Sequence, residues 1–318
     1  MSETVLITGG SGMIGQAITQ ALLKESYQVI VLSRHPQKPA NQSSSVKWAY
    51  WNPDKNEIDI SALQQAQHII HLAGDPLADG RWTKAKKERI LKSRTQSSEL
   101  LFQKIKEHHI SLQSFISASA IGFYGNHLSN KNEPSSSQFK GFNESDQAGE
   151  DFIAHVCQQW EQASSAIQNL GIRTVIIRIG LVLSDKGGLL AKIAPLAKKS
   201  LNVNMGSGEQ IYPWIHVEDL ARLFVYALQD DTMKGVYNAT CSVENQVNQK
   251  EFNALLAKHL HKKLFLPSIP SFLLKIILGE MSQMLLNGSY ISNEKIIKQG
   301  FQFLYPKLPE AFNHLNLK

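Results

Sequence analysis

Residues Thr4–Thr8 form a short apolar run that leads straight into Thr8-Gly9-Gly10-Ser11-Gly12-Met13-Ile14-Gly15, and good helix formers follow. A strand, a glycine triplet and a helix in this order leave the chain few ways to fold. Gly9 permits the tight turn, Gly12 lets backbone approach a pyrophosphate, and Gly15 lets the helix pack close to the strand. The helix N-terminus then offers unpaired N–H groups and the positive end of its dipole to that anion. Ser11, Met13 and Ile14 complete the expected cradle.

Short Val- and Ile-rich runs alternate with longer helical patterns through the first two thirds of the chain. That alternation predicts a parallel sheet covered on both faces, a doubly wound α/β fold. Strands are expected over Thr4–Thr8, Gln28–Ser33, His68–Ala73, Ser114–Ser119 and Arg173–Arg178. Helices are expected over Met13–Lys24, Thr83–His108 and Glu150–Leu170, with Ile90, Leu101 and Ile105 spaced to face the sheet. The polar stretch Asn126–Ala148 holds Pro134 and three consecutive serines, so it reads as an irregular loop. Later come a helix over Asp219–Leu228, a strand over Val236–Ala239 and helices broken by Pro267, Pro270 and Gly279. A chain of 318 residues suggests about two domains at ~150 residues each. The expected division is a nucleotide-binding domain over 1–178 plus 211–240 and a smaller, mixed, largely helical substrate region over 179–210 plus 241–318.

The second strand points to the nucleotide. A site for NAD would place Asp or Glu about 20 residues beyond the glycines, to accept from the ribose 2′-hydroxyl. From Ser26 through Pro53 the chain has no acidic residue. The strand ends instead in Ser33-Arg34-His35, with Lys38 close behind. A carboxylate would repel a 2′-phosphate, whereas Arg34 can form charge-assisted bonds to it and stack on adenine. The expected cofactor is NADP(H).

Composition narrows the remaining classes. The formal net charge is +6, but the basic residues are scattered, as in Lys84, Lys86 and Lys87, so nucleic acid is not an expected partner. The only cysteines, Cys157 and Cys241, lie far apart without a CxxC or His-rich companion, which argues against a disulfide framework or a metal site and for a reducing compartment. Apolar runs near Phe272–Leu278 are interrupted by Lys275 and halted by Gly279-Glu280, too short for a membrane span. A soluble cytoplasmic protein with no signal peptide and no membrane partner is expected.

Further blocks make the likeness specific. They are His71-Leu72-Ala73-Gly74, Ser117-Ala118-Ser119 leading to Tyr124-Gly125, Arg178-Ile179-Gly180, Gly206-Ser207-Gly208-Glu209-Gln210 through Trp214-Ile215-His216-Val217-Glu218-Asp219, and Tyr237-Asn238. With them, nearly the whole chain resembles the extended short-chain dehydrogenase/reductases. Arg81-Trp82-Thr83, Ser93-Arg94, Trp160-Glu161 and Gly300-Phe301 resemble their atypical epimerase-like branch. The resemblance implies a Rossmann-type domain and places Leu72, Ala73 and Gly74 under the cofactor, with Arg94, Ser117 and Ala118 in its surroundings. It makes Ser119 the serine that bonds a substrate oxygen beside the nicotinamide, the alternative being a strand-end serine satisfied by backbone. Arg178, Gln210, Trp214, His216, Arg81 and Trp82 fall in its substrate region. Trp214 and His216 could equally be core residues, Arg81 and Trp82 could pin a helix start, and Asp219 could cap the following helix. It also implies a homodimer through the two long helices.

The family's tyrosine and lysine, at i and i+4 on one helix, are missing. No tyrosine in the chain has a lysine four residues on. Counting back from Trp160-Glu161 puts Ile153 and Cys157 at those positions, and neither can replace an acid/base pair. A slipped alignment would instead put Asp151 and His155 on one face, with a surface ion pair as the plainer reading. Two classes of function follow. One is an NADP-dependent oxidoreductase or epimerase acting on a nucleotide sugar or other small carbonyl or hydroxyl compound, with Ser119 polarising oxygen and water or Tyr124 as proton donor. The other is a catalytically weak NADPH-binding sensor or regulatory protein.

Overall fold

A computed structural model describes residues 2–36, 45–125, 141–264 and 266–317. Lys38 and the stretch 126–140 of the expected loop lie outside them. Strands β1 (Thr4–Thr8), β2 (Gln28–Ser33), β3 (Val46–Asn52), β4 (Glu57–Ile58), β5 (His68–His71), β6 (Ser114–Ala120) and β7 (Arg173–Ile179) build the sheet. Short strands β8 (Leu181–Leu183), β9 (Ile211–Tyr212) and β10 (Trp214–His216) follow, then β11 (Gly235–Ala239), which rejoins the sheet, and β12 (Val247–Asn248). The order is β11-β7-β6-β5-β1-β2-β3-β4, parallel throughout except for the antiparallel pairing of β3 with β4.

The strands are apolar on both faces because both faces are covered. In β1, Val5 and Ile7 enter one core while Leu6 enters the other. The first core is closed by α1 (Met13–Lys24), whose Ile18 and Leu22 meet Leu220 and Phe224 of a later helix, Val217–Gln229. On the opposite face lie α2 (Ile60–Gln64), α3 (Lys84–Glu107) and α4 (Phe152–Ser165), with Leu63, Leu100, Leu101 and Ile105 buried against the sheet. Thr83 and Asp151 cap α3 and α4 by accepting from Lys86 N and Ala154 N. The rest of the predicted Glu150–Leu170 helix is a 3-10 turn, Ala166–Leu170, ended by Gly171 at positive φ.

Helix α5 (Gly188–Lys198) precedes α6 (Val217–Gln229), and α7 (Gln249–His259), α8 (Ser271–Leu278), α9 (Gln283–Leu286), α10 (Glu294–Lys298) and α11 (Leu308–His314) complete the chain. A separate core of Leu190, Trp214, Phe252, Leu256, Leu308 and Phe312 holds much of this C-terminal part together. Ile296 and Phe301, however, belong to the core of the sheet. His216, not Asp219, caps α6: its Nδ1 accepts from Glu218 N at 3.1 Å. The buried Asp219 carboxylate instead receives the N–H groups of Leu304 and Tyr305, at 2.8 and 3.0 Å, and so ties the C-terminal segment to α6.

Candidate functional site

The glycine loop is shaped by close backbone contacts. Gly9 has φ +69°, and a methyl group there would lie 2.9 Å from the Leu72 carbonyl oxygen. At Gly15 a methyl would lie 2.5 Å from both Gly10 Cα and Gly9 O, so the start of α1 can press onto the turn only without a side chain. Gly12, the N-cap of α1, meets nothing nearer than Gly9 O at 3.4 Å, which leaves its outer side open. No side chain caps α1 and no acid lies in its first turn. With Ser11 exposed at the tip and Met13 and Ile14 opening the helix, the loop can accept a pyrophosphate.

Below the loop, Thr8 joins β1 to the turn after β5. Its Oγ1 accepts from Leu72 N and Ala73 N, at 3.1 and 3.2 Å, so its proton goes to His71 Nδ1, 2.8 Å away. His71 is therefore the neutral Nε2–H tautomer and donates to Ser97 and Ser98, whose hydroxyls in turn donate to Arg94 O. Burial alone pushes the His71 pKa down to about 3, so the ring stays neutral at physiological pH. Arg94 is buried under Gly74, donates to Asp75 O and Ile90 O, and lies over the Trp160 ring. It holds the Gly74–Asp75 turn in place rather than contacting the cradle from outside. On the other side, Thr8 pairs with Leu32, so Ser33, Arg34 and His35 emerge beside the loop, and Arg34 and His35 are exposed.

At the end of β6 sits a buried polar network that the sequence reading assigned differently. Ser119 Oγ donates to Glu161 Oε1 at 2.6 Å. Arg178 holds the same carboxylate with two bonds, Nε to Oε1 at 2.8 Å and Nη2 to Oε2 at 2.9 Å. Its Nη1 donates to the Tyr124 oxygen at 2.9 Å, while the Tyr124 hydroxyl donates to Asn238 Oδ1 at 2.8 Å. Burial works against the Arg178 charge, but the bonds and charge of Glu161 outweigh it and raise its pKa. Burial raises Tyr124 to about 12 against the pull of Arg178.

These contacts correct two expectations. Tyr124 is enclosed, with its proton committed to Asn238, and cannot serve as proton donor from this position. Ser119 is not the strand-end serine satisfied by backbone that stood as the alternative; its partner is the Glu161 carboxylate. Glu161 was visible in the sequence only as a branch marker. The missed signal is its spacing four residues after Cys157, a lone carboxylate on the buried stripe of α4.

Other predicted residues serve the framework. Ser117 turns to Ser164 of α4 at 3.0 Å, and Ala118 lies in the core between sheet and α6. Trp82 is buried against Phe152 and donates Nε1–H to Leu77 O, so it pins the start of α3. Gln210 bonds Met205 O, Gln249 and Leu285 O, and Trp214 donates to Asn245 O. Arg81 is exposed and lies against Gly279, at the junction after α8. The structure thus gathers the glycine loop, Leu72–Gly74 and Arg34 at the carboxyl ends of the central strands β5, β1 and β2, and buries Ser117, Arg178, Gln210, Trp214 and His216.

His216, Glu218 and His314 form the one three-residue cluster of potential metal ligands among the described residues. Because His216 Nδ1 accepts from backbone, the proton of its neutral ring sits on Nε2, so this rotamer offers no lone pair there. A groove of about 1470 Å³ runs from Gly10, Ser11 and Met13 along α1 and α6 to Asn316. Ser119, Arg34 and Trp82 are not among its walls, so it meets the cofactor cradle only at the loop.

Residues 5–240 match the NAD dependent epimerase/dehydratase family, and 269–315 match a domain of unknown function, DUF1731. An epimerase family protein of Bacillus subtilis, YfhF, is 35% identical over 318 residues, covering 98% of this chain and 97% of the relative. The chain belongs to the NAD dependent epimerase/dehydratase family. A relative in Mycobacterium leprae, ML0860, is 31% identical over 98% of this chain and 94% of its own. Among solved structures, the human epimerase family protein SDR39U1 superposes with a TM-score of 0.82 at 24% identity, over 98% of both chains. A nucleoside-diphosphate sugar epimerase of Corynebacterium glutamicum gives 0.74 at 26% identity, over 99% of this chain and 58% of that one.

Within this epimerase family member, Ile153 and Cys157 both pack beside Gly122 in the turn after β6. Burial, then the Glu161 charge, pushes the Cys157 thiol up to about 12, so it stays protonated. The slipped alternative also fails as a pair: Asp151 caps α4, while His155 points to solvent from the first turn.

Proposed function

We propose that the chain is an NADP(H)-binding oxidoreductase or epimerase-like protein acting on a nucleotide sugar or other small carbonyl or hydroxyl compound, without a side-chain proton relay. The observation that carries the cofactor reading is Arg34, exposed two residues beyond the Thr8–Leu32 pair at the mouth of the glycine loop, on a strand end with no acid. Human SDR39U1 was crystallised with NADPH, the cofactor that such an arginine favours. A bound NADPH supplies hydride. The residues of this chain bind it: the loop and helix N-terminus take the pyrophosphate, Arg34 the 2′-phosphate, and Leu72–Gly74 the space beneath the ribose. Ser119 is held toward Glu161, and with no side chain free to carry it the accompanying proton would exchange with water where the nucleotide-binding part, 1–178 plus 211–240, meets the substrate region, 179–210 plus 241–318. Arg34→Ala should weaken NADPH binding about 10- to 100-fold and leave NADH binding unchanged, as a titration of bound-cofactor fluorescence would read. Equal affinity for NADH and NADPH in the unaltered protein overturns the assignment.

A second reading is favoured by one observation: the hydroxyls of Ser119 and Tyr124 are both consumed by buried partners, and Ile153 and Cys157 stand where the family's relay would be. On that reading the protein is an NADPH sensor or regulator. Oxidation of bound NADPH against carbonyl compounds and nucleotide sugars, followed by absorbance, separates the two. Turnover supports the enzyme, and tight binding without turnover supports the sensor.

A further inference from the structure

Helix α8 is turned the wrong way round for a water-soluble surface. Its outward arc carries Phe272, Leu273, Ile276 and Ile277, of which Phe272, Ile276 and Ile277 are 64%, 65% and 56% exposed. Among the described residues, the fold uses its other side: Leu274 is buried, and Leu278 packs with Trp82 and Met281. A helix that merely covered a core would put its apolar residues inward and its charges outward. Leu264 and Leu266, just before it, are also exposed.

The charge along this stretch of the chain is one-sided. Between Glu251 and Glu280 the sequence has no acidic residue, but it has Lys258, Lys262, Lys263 and Lys275, all exposed. Backbone bonds from Gly206 N to Ile269 O and from Ile269 N to Asn204 O tie this stretch to the segment that follows α5, and Leu196, Lys198, Lys199 and Leu201 around the end of that helix are exposed. Exposed apolar residues bordered by lysines match the surface of a bilayer that carries anionic lipids.

We infer that this face docks the protein on an anionic phospholipid surface, with α8 lying in the headgroup boundary and the lysines on the phosphates. A second copy of the chain is the competing occupant, but a two-fold contact would set these lysines against the same lysines, and Glu280, the acid that follows α8, is already paired with Lys87. The interaction needs no spanning helix, and none of the described helices is long and apolar enough to cross a membrane. It goes beyond the expectation of no membrane partner, which rested on span length alone.

Co-sedimentation of the full chain with phosphatidylcholine vesicles, alone or with about 30% phosphatidylglycerol, tests the inference. Binding should be at least about tenfold stronger on the anionic vesicles and should weaken with salt. The double variants Ile276→Ser with Ile277→Ser, and Lys262→Glu with Lys263→Glu, should each lose it. NADPH binding by both variants should match the unaltered protein, which shows that they fold and separates this result from the cofactor proposal. Equal binding to both vesicles, no binding to either, or a dimer in light scattering that the isoleucine variant turns into a monomer would overturn it.

Discussion

Glu161 bridges Ser119 on β6 and Arg178 on β7 from its place on α4, so three elements meet at one carboxylate. Because both ions of the pair are almost fully buried, removing one leaves the other uncompensated. Glu161→Gln should cost about 3 kcal/mol of stability, read as a lower urea midpoint at unchanged slope, while leaving NADPH affinity little changed. The buried His71 makes stability depend on pH. In the unfolded chain this ring takes a proton near 6.5, but in the fold it stays neutral down to about 3, because burial penalises the charge. Its contribution is complete above pH 6.5 and is lost as pH falls from there toward 3, at about 1.4 kcal/mol per unit. His216, lowered to about 4 by burial and then by His314, acts in the same direction. Urea unfolding at pH 7.5 and 5.5 should show the loss, and His71→Gln should reduce the difference by about 1.4 kcal/mol.

Among elements, the turn from β1 into α1 separates fold from ligand. Gly15→Ala would drive a methyl into the backbone of Gly9 and Gly10, so it should lower stability and cofactor affinity together. Gly12→Ala faces outward and should leave the melting temperature within a few degrees while weakening NADPH at least about tenfold. That turn was fully legible in the sequence, as were strands whose apolar runs are continuous because both faces are buried. Strand β3 was not: Val46–Asn52 mixes Lys, Tyr and Asn with its apolar residues, since it lies near the sheet edge. The placement of the candidate site was legible where it is local, in the glycines after β1 and in Arg34 after β2. It was hidden where contacts span the fold: the pairing of Glu161 with Arg178 over seventeen positions and of Tyr124 with Asn238 over more than a hundred leaves no spacing rule to read.

At the scale of the whole molecule, α3 and α4 pack side by side on one face of the sheet. A homodimer through these two helices, the arrangement the family resemblance implies, should appear in light scattering as twice the 35.5 kDa mass of the chain. Charge reversal on their outer surface, for instance Lys92→Glu, should shift that equilibrium toward the single chain, whereas serine substitutions on α8 should not.

The sheet finishes beyond β3 in the two-residue antiparallel stub Glu57–Ile58. So brief a border gives an incoming polypeptide almost no ladder on which to grow. Concentrated stocks should therefore resist fibril formation from that flank, and any amyloid-type dye signal on heating would have to start in unfolded chains.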